Sequence, residues 1–194
     1  MRSGQVQAGD GFEYWLLKFD GVSGNRDKEL EDPKGYGLIE YAYYLMALAY
    51  SYEQALLVMR QLQLPVQAVE QLFRRMVFNI VARNQDDHVK NIAFLMNRSG
   101  EWSLSPAFDM TYSFNPDGAW TASHQMTMNG KRENFTMADF QACARAASMK
   151  RGRAASIVAD VQARVSEWGS FAQKAGVPDS VSEKIQHTLN LKPF

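Results

Sequence analysis

Residues 84–91 read Asn-Gln-Asp-Asp-His-Val-Lys-Asn, a run with no apolar periodicity and Val89 as its one aliphatic side chain. Such a polar cluster is a loop by composition. Upstream, Val66, Val69, Leu72, Phe73, Met76 and Val77 recur at helical spacing behind Pro65. That pattern predicts a largely apolar, buried helix continuing to about Ala82, with Pro65 suited to its first turn. Downstream, Asn91 to Asn97 reads as a strand, Arg98-Ser99-Gly100 as a turn, and Glu101 to Ser105 as the hairpin partner. The hairpin returns the chain to where it left the loop. It thereby brings Asp109 back toward Asp86 and Asn91.

The rest of the pattern is mostly helical. Ser51 opens a helix running to about Leu62, with Ser51 and Gln54 at capping-box spacing. Pro106 to Gly130 mixes aromatics, Gly and Pro and reads as ordered loop. Helices are then predicted over Met137 to Met149, Gly152 to Ala175 and Ser180 to Leu189, with Gly176 and Pro178 as the stop between the last two. Toward the N-terminus, Phe12 to Phe19 reads as a strand, Asp20 to Gly35 as a surface loop and Tyr36 to Tyr50 as a helix. Tyr36 to Leu62 also reads as one continuous helix. The expected class is mainly α with a small β component (α+β).

Composition narrows the function classes. Of 194 residues, 46% are hydrophobic and 22% charged, which excludes wholesale disorder. Lys plus Arg and Asp plus Glu number 21 each, so the net charge is zero, and the basic excess of a direct phosphate-backbone binder is missing. The longest apolar run, Tyr41 to Tyr50, falls short of the roughly 18 residues of a membrane span. Met1 to Asp10 carries no apolar signal-like core. One cysteine, Cys143, excludes an internal disulfide and a Cys-based zinc site. These features together point to a reduced, cytoplasmic setting.

Phosphoryl transfer needs a carboxylate near the acceptor hydroxyl, and a second carboxylate plus an amide oxygen to hold magnesium. Asp86, Asn91 and Asp109 supply those groups in the order Asp-x-x-x-x-Asn, strand, turn, strand, Asp by which protein kinases present them. The same residues, taken alone, also suit solvated loop acids and a turn amide. His88, His124 and His187 are dispersed, without metal-ligand spacing, and read as solvated or supporting residues. Cys143 reads as a small core residue. Lys131-Arg132 and Lys150-Arg151-Gly152-Arg153 read as solvated faces, and Trp15, Trp102, Trp120 and Trp168 as packing residues.

Two further segments, Leu104-Ser105-Pro106-Ala107-Phe108-Asp109-Met110-Thr111-Tyr112 and His124-Gln125-Met126-Thr127-Met128-Asn129-Gly130-Lys131-Arg132, complete a resemblance. Together with residues 84–91 they resemble the HipA family of bacterial serine/threonine kinases, toxin components of toxin–antitoxin pairs. The resemblance covers roughly Ser51 to the C-terminus. It implies a kinase-like C-lobe over 51–194, preceded over 1–50 by a remnant of the N-lobe, a strand and a helix. It also implies Asp86 as catalytic base, His88 and Lys90 as loop-ordering or phosphate-touching residues, and Asn91 and Asp109 as magnesium ligands. Lys18 and Glu40 match the family's strand lysine and helical glutamate for ATP, while Asp87 is given no role. The implied cofactors are ATP and Mg2+. The implied partners are a protein substrate and a HipB-like helix-turn-helix antitoxin, with DNA reached only through that antitoxin. Two departures qualify the expectation. Gly4, Gly9 and Gly11 lack the order of the family's Gly-rich phosphate loop, and strands that separate two helices in the family are missing at Tyr50-Ser51. The expectation is thus a truncated kinase toxin, with a catalytically inactive, antitoxin-binding module as the alternative.

Overall fold

The computed structural model describes residues 51–194. The expected N-terminal strand and helix, and with them Lys18, Glu40 and Trp15, lie outside the described residues. Among those described, six α-helices and one two-stranded sheet occur: α1 (Tyr52–Gln61), α2 (Val66–Val81), β1 (Phe94–Met96), β2 (Trp102–Leu104), α3 (Met137–Ala146), α4 (Arg153–Ser166), α5 (Trp168–Ala175) and α6 (Asp179–Gln186). The mainly helical class with a small β component is therefore what the chain adopts.

Helix α2 is the centre of the molecule. Its apolar positions Val69, Leu72, Phe73, Met76, Val77, Ile80 and Val81 are all buried, on the spacing the sequence shows. Each such side chain contributes on the order of 1.5–3 kcal/mol of burial. Helices α1 and α4 pack directly on α2, and α3 bridges α1 and α4. Phe140 of α3 meets the ring of Phe194 edge-on at 4.8 Å, closing the core with the C-terminal residues. Cys143 is fully buried in the same core, where burial pushes its thiol pKa up, and it packs its Sγ 3.8 Å from Met76 Sδ.

Helix ends are set by side-chain caps and by local backbone turns. Ser51 is extended (φ −135°, ψ 151°) and its Oγ accepts from Gln54 N, so α1 begins at Tyr52 and a continuous helix through residue 51 is excluded. Helix α2 ends because Arg83 turns left-handed (φ +59°) and Asn84 N donates to Asn79 O at 2.9 Å, the wrap of a Schellman motif. The C-terminal segment covers this end: Asn190 donates from its backbone to Val81 O and from its side chain to Ile80 O, and Arg83 Nε reaches Thr188 O at 2.7 Å. These bonds satisfy carbonyls that a helix terminus otherwise leaves open.

Three expected boundaries move for local reasons. The predicted 152–175 helix is two helices, broken at Glu167, where Ser166 Oγ bonds back to Ala163 O and Trp168 Nε1 donates to Ser182 O, turning α5 onto α6. Helix α3 stops at Ala146 rather than Met149, because Ser148 is left-handed (φ +55°) and Met149 N wraps back to Ala144 O. The strand predicted from Asn91 shrinks to Phe94–Met96, since Val89–Asn91 forms a 3-10 turn. The hairpin itself holds in register, Phe94 opposite Leu104 and Met96 opposite Trp102. Its turn is tightened by Asn97 Oδ1, which accepts from the backbones of Ser99 and Glu101.

Ser148 is exposed and occupies a backbone conformation that favours glycine. Ser148→Gly is expected to stabilise the chain by about 0.5–1 kcal/mol, read as a rise of about 1–4 °C in melting temperature. A fall in Tm would show that the strain is not there to relieve.

Candidate functional site

The Schellman wrap at Arg83 aims the chain out of α2 and buries the next two residues, Asn84 and Gln85. Asn84 is pinned on both sides. Its backbone bridges Ser113, and its side-chain amide donates to Asn79 Oδ1 at 3.0 Å and, more loosely, to Asp109 O at 3.5 Å. Asp86 follows with its side chain 49% exposed, so its carboxylate is open to a ligand. Asn91 Nδ2 donates to Asp86 O at 3.0 Å, closing the loop on itself. That bond occupies the amide nitrogen and leaves Asn91 Oδ1 as the oxygen available to a cation. His88 Nε2 stands 3.9 Å from Asp86 Oδ1, while Lys90 is exposed.

The arm beyond the hairpin brings back Asp109. Arg75 on α2 donates from Nη2 to Ser105 O at 2.6 Å, fixing the start of the arm just ahead of Pro106. Asp109 is exposed and left-handed (φ +55°), a conformation that few residues besides Gly, Asn and Asp hold readily. Asn79, Asn84, His88, Asn91 and Asp109 line one cleft, with Phe108 at its wall. The structure thus brings Asn91, Asp109 and His88 together, holds Asp86 through its carbonyl bond to Asn91, and leaves Lys90 outside the lining. One carboxylate and one amide oxygen form the small oxygen-donor set that suits Mg2+, which keeps its other positions for water and phosphate. Among the described residues no group of three or more His, Cys, Asp or Glu forms a self-sufficient metal cage.

Asp87, given no role by the sequence reading, is the most enclosed group of the loop. Its side chain has no exposure, and it accepts three hydrogen bonds: from Tyr52 Oη at 2.6 Å, from His124 Nδ1 at 2.9 Å and from Gln125 N at 2.7 Å. Tyr52 Oη in turn accepts from Asn79 Nδ2 at 3.0 Å. Burial first, and then the Asp87 charge, push the Tyr52 phenol well above its ordinary pKa, so it stays a donor. Among the histidines, His124 is a buried supporting residue, whereas His187 is exposed. Nothing local signals the role of Asp87, because its partners lie 35 to 38 residues away.

The segment bearing His124 is held by a second buried acid. Asn129 and Gly130, both at positive φ, turn the chain so that Met128 and Lys131 pair. The Asn-Gly pair itself is the sequence signal for such a tight turn. Asp139, 2% exposed, collects Lys131 Nζ at 2.8 Å, Asn129 Nδ2 at 2.7 Å and both Thr136 donors while capping α3. Burial opposes its ionisation, but these hydrogen bonds prevail and hold the carboxyl well below the usual range.

Residues 46–168 match the family model of the HipA-like C-terminal domain. Among solved structures the chain resembles one in the complex of HipA, HipB and operator DNA of the Shewanella oneidensis MR-1 toxin–antitoxin system. The TM-score is 0.53 and the identity 17%, over 85% of this chain and 35% of that one. The likeness is one of fold, and this chain spans about a third of that chain's length. None of the curated proteins matches in sequence.

Tyr52→Phe removes one donor from a buried carboxylate and is expected to destabilise the chain by about 1–3 kcal/mol, measured by urea unfolding. Asp139→Asn tests the second acid. A carboxyl with a depressed folded pKa contributes stability above its unfolded value of about 4 and loses it as pH falls from there. Wild type is therefore expected to exceed Asp139→Asn in stability at pH 7, with the gap narrowing steadily below about pH 4. A gap independent of pH would remove Asp139's ionised role.

Proposed function

The chain belongs to the family of HipA-like C-terminal domains, and on that premise we propose that it is a serine/threonine protein kinase module of a toxin–antitoxin system. In this reading residues 51–194 are the C-lobe and residues 1–50 a remnant of the N-lobe. Lys18 and Glu40 would serve ATP from that remnant. The observation that carries the proposal is the meeting of Asn91 and Asp109 on one cleft while Asp86 grips the Asn91 amide from behind.

The chemistry follows from what each group is free to do. Asp86, half exposed and unpartnered by any strong donor, would accept the proton of a Ser or Thr hydroxyl as that oxygen bonds to the γ-phosphorus. The bond from phosphorus to the bridging oxygen breaks, ADP leaves, and a phosphoester remains on the protein substrate. Asn91 Oδ1 and the Asp109 carboxylate would hold Mg2+, which when bound spreads the charge of the phosphoryl group. His88, 3.9 Å from Asp86, would help keep that carboxylate in place, and Lys90 offers an exposed cation to phosphate oxygens.

The neighbouring fold comes from a complex containing HipB and operator DNA. By that likeness this chain would bind a HipB-like helix-turn-helix antitoxin and meet DNA only through it, in keeping with its zero net charge. No described helix is long and apolar enough to cross a membrane. The proposed setting is the cytoplasm.

Binding and chemistry separate in two measurements. Saturating ATP with magnesium is expected to raise Tm by about 5–10 °C, a rise lost in Asp109→Ala. Radiolabel transfer from ATP is expected to fall at least a hundredfold in Asp86→Ala while the ATP-induced rise in Tm persists. Transfer that survives Asp86→Ala would remove the base. The absence of any ATP shift in wild type would favour a non-catalytic, antitoxin-binding module.

A further inference from the structure

Trp120, expected to pack, is instead 76% exposed, whereas Trp102 and Trp168 are half-buried. Its loop is closed by its own hydrogen bonds. Asn115 O accepts from Gly118 N at 2.9 Å, Asn115 Oδ1 accepts from Asp117 N at 3.1 Å, and Asn115 N donates to Thr121 O at 3.2 Å. The turn is tight enough that a Cβ at Gly118 would lie 2.9 Å from Thr121 Oγ1 and 3.1 Å from Asn115 O. The Gln125 side-chain amide donates to the carbonyl of Trp120 itself.

This closed loop is fastened to the residues on either side of Asp86. Gln85, with its amide oriented to satisfy both neighbours, donates to Thr121 O at 2.7 Å and accepts from Arg83 Nη1 at 3.3 Å. Gln125 N donates to Asp87 Oδ1 at 2.7 Å. The Trp120 backbone is therefore indexed to Asp86 through both of that residue's neighbours. A loose surface loop would leave its tip free. Here a hydrogen-bonded backbone presents a large apolar side chain to solvent beside the 84–91 loop, while Phe108, 37% exposed, stands next to Asp109 on the cleft wall.

We propose that Trp120 is the docking residue for the polypeptide that bears the acceptor hydroxyl, taking an apolar side chain of that polypeptide at a fixed distance from Asp86. The proposal rests on the kinase reading above. A tryptophan on a fixed backbone has only two side-chain torsions to lose on binding and offers a broad apolar face, the combination found at binding hot spots. Its connection to the Asp86 loop is what selects the substrate polypeptide as the occupant. A group that docks one part of a substrate away from the reacting atoms supplies uniform binding, which lowers KM and leaves kcat alone.

An array of Ser-containing peptides, with Phe, Leu or Asp placed at one position at a time, tests this with Mg-ATP. Wild type is expected to favour peptides carrying Phe or Leu at one set distance from the Ser. Trp120→Ala is expected to lose that preference and raise the peptide KM about tenfold or more, with kcat and the ATP-induced rise in Tm unchanged. Trp120→Phe is expected to keep most of the preference. Preference retained in Trp120→Ala overturns the docking role, including where that variant instead loses binding to a helix-turn-helix partner. Transfer by wild type without any apolar preference overturns it as well and leaves the kinase reading standing. Absence of both transfer and ATP stabilisation in wild type overturns the kinase reading and the docking role with it.

Discussion

The buried carboxylate of Asp87 ties together the segments around the 84–91 loop. Asp87 has no exposure of its own, and it is satisfied by groups from α1, from the backbone at Gln125 and from the His124 ring. A charge taken out of water is tolerable only when several donors replace its hydration. The requirement runs both ways. Two segments distant in sequence, α1 and residues 124–125, must converge to satisfy Asp87, and their convergence fixes the backbone one residue after Asp86. A half-exposed carboxylate is thus adjacent to a fully enclosed one, and only the first is open to a ligand.

The same division recurs around the cleft. Groups available to a ligand, Asp86, Asn91 and Asp109, stand on backbone whose position is set by buried neighbours: Asn84 and Asn79 behind the loop, and Arg75 behind the Asp109 arm. Helix α2 supplies Arg75 and Asn79 from the flank of its apolar stripe, and Leu72 of that stripe lines the cleft beside them, so packing changes in the core would reach the cleft.

Much of this could be read from the residues. The period of α2 and the hairpin are local patterns that appear in the structure as elements, and Asn91 and Asp109 line one cleft, while Asp86 lies outside its lining and meets Asn91 through a backbone carbonyl. The helix ends near Leu62 and Ala82 were readable, whereas that of α3 was not, because Ser148 takes the left-handed turn usually marked by glycine. The break at Glu167 arises from a serine hydroxyl competing for a backbone carbonyl, with no proline or glycine at the break to signal it. Asp87 and Trp120 were misjudged for a shared reason. Burial and exposure are decided by what comes to lie nearby in space, and residues 113–125 have no periodicity from which to infer it.

The bonds from Asn190 to the end of α2 carry a consequence for how the chain is made. The helix end that launches the 84–91 loop is completed by residues more than a hundred positions later. A nascent chain emerges from the ribosome in order, so residues 84–91 leave the tunnel long before the residues that cap their launching point. During that interval the motif is present without its geometry. Synthesis itself then sets a delay between the appearance of residues 84–91 and the completion of the helix end that positions them.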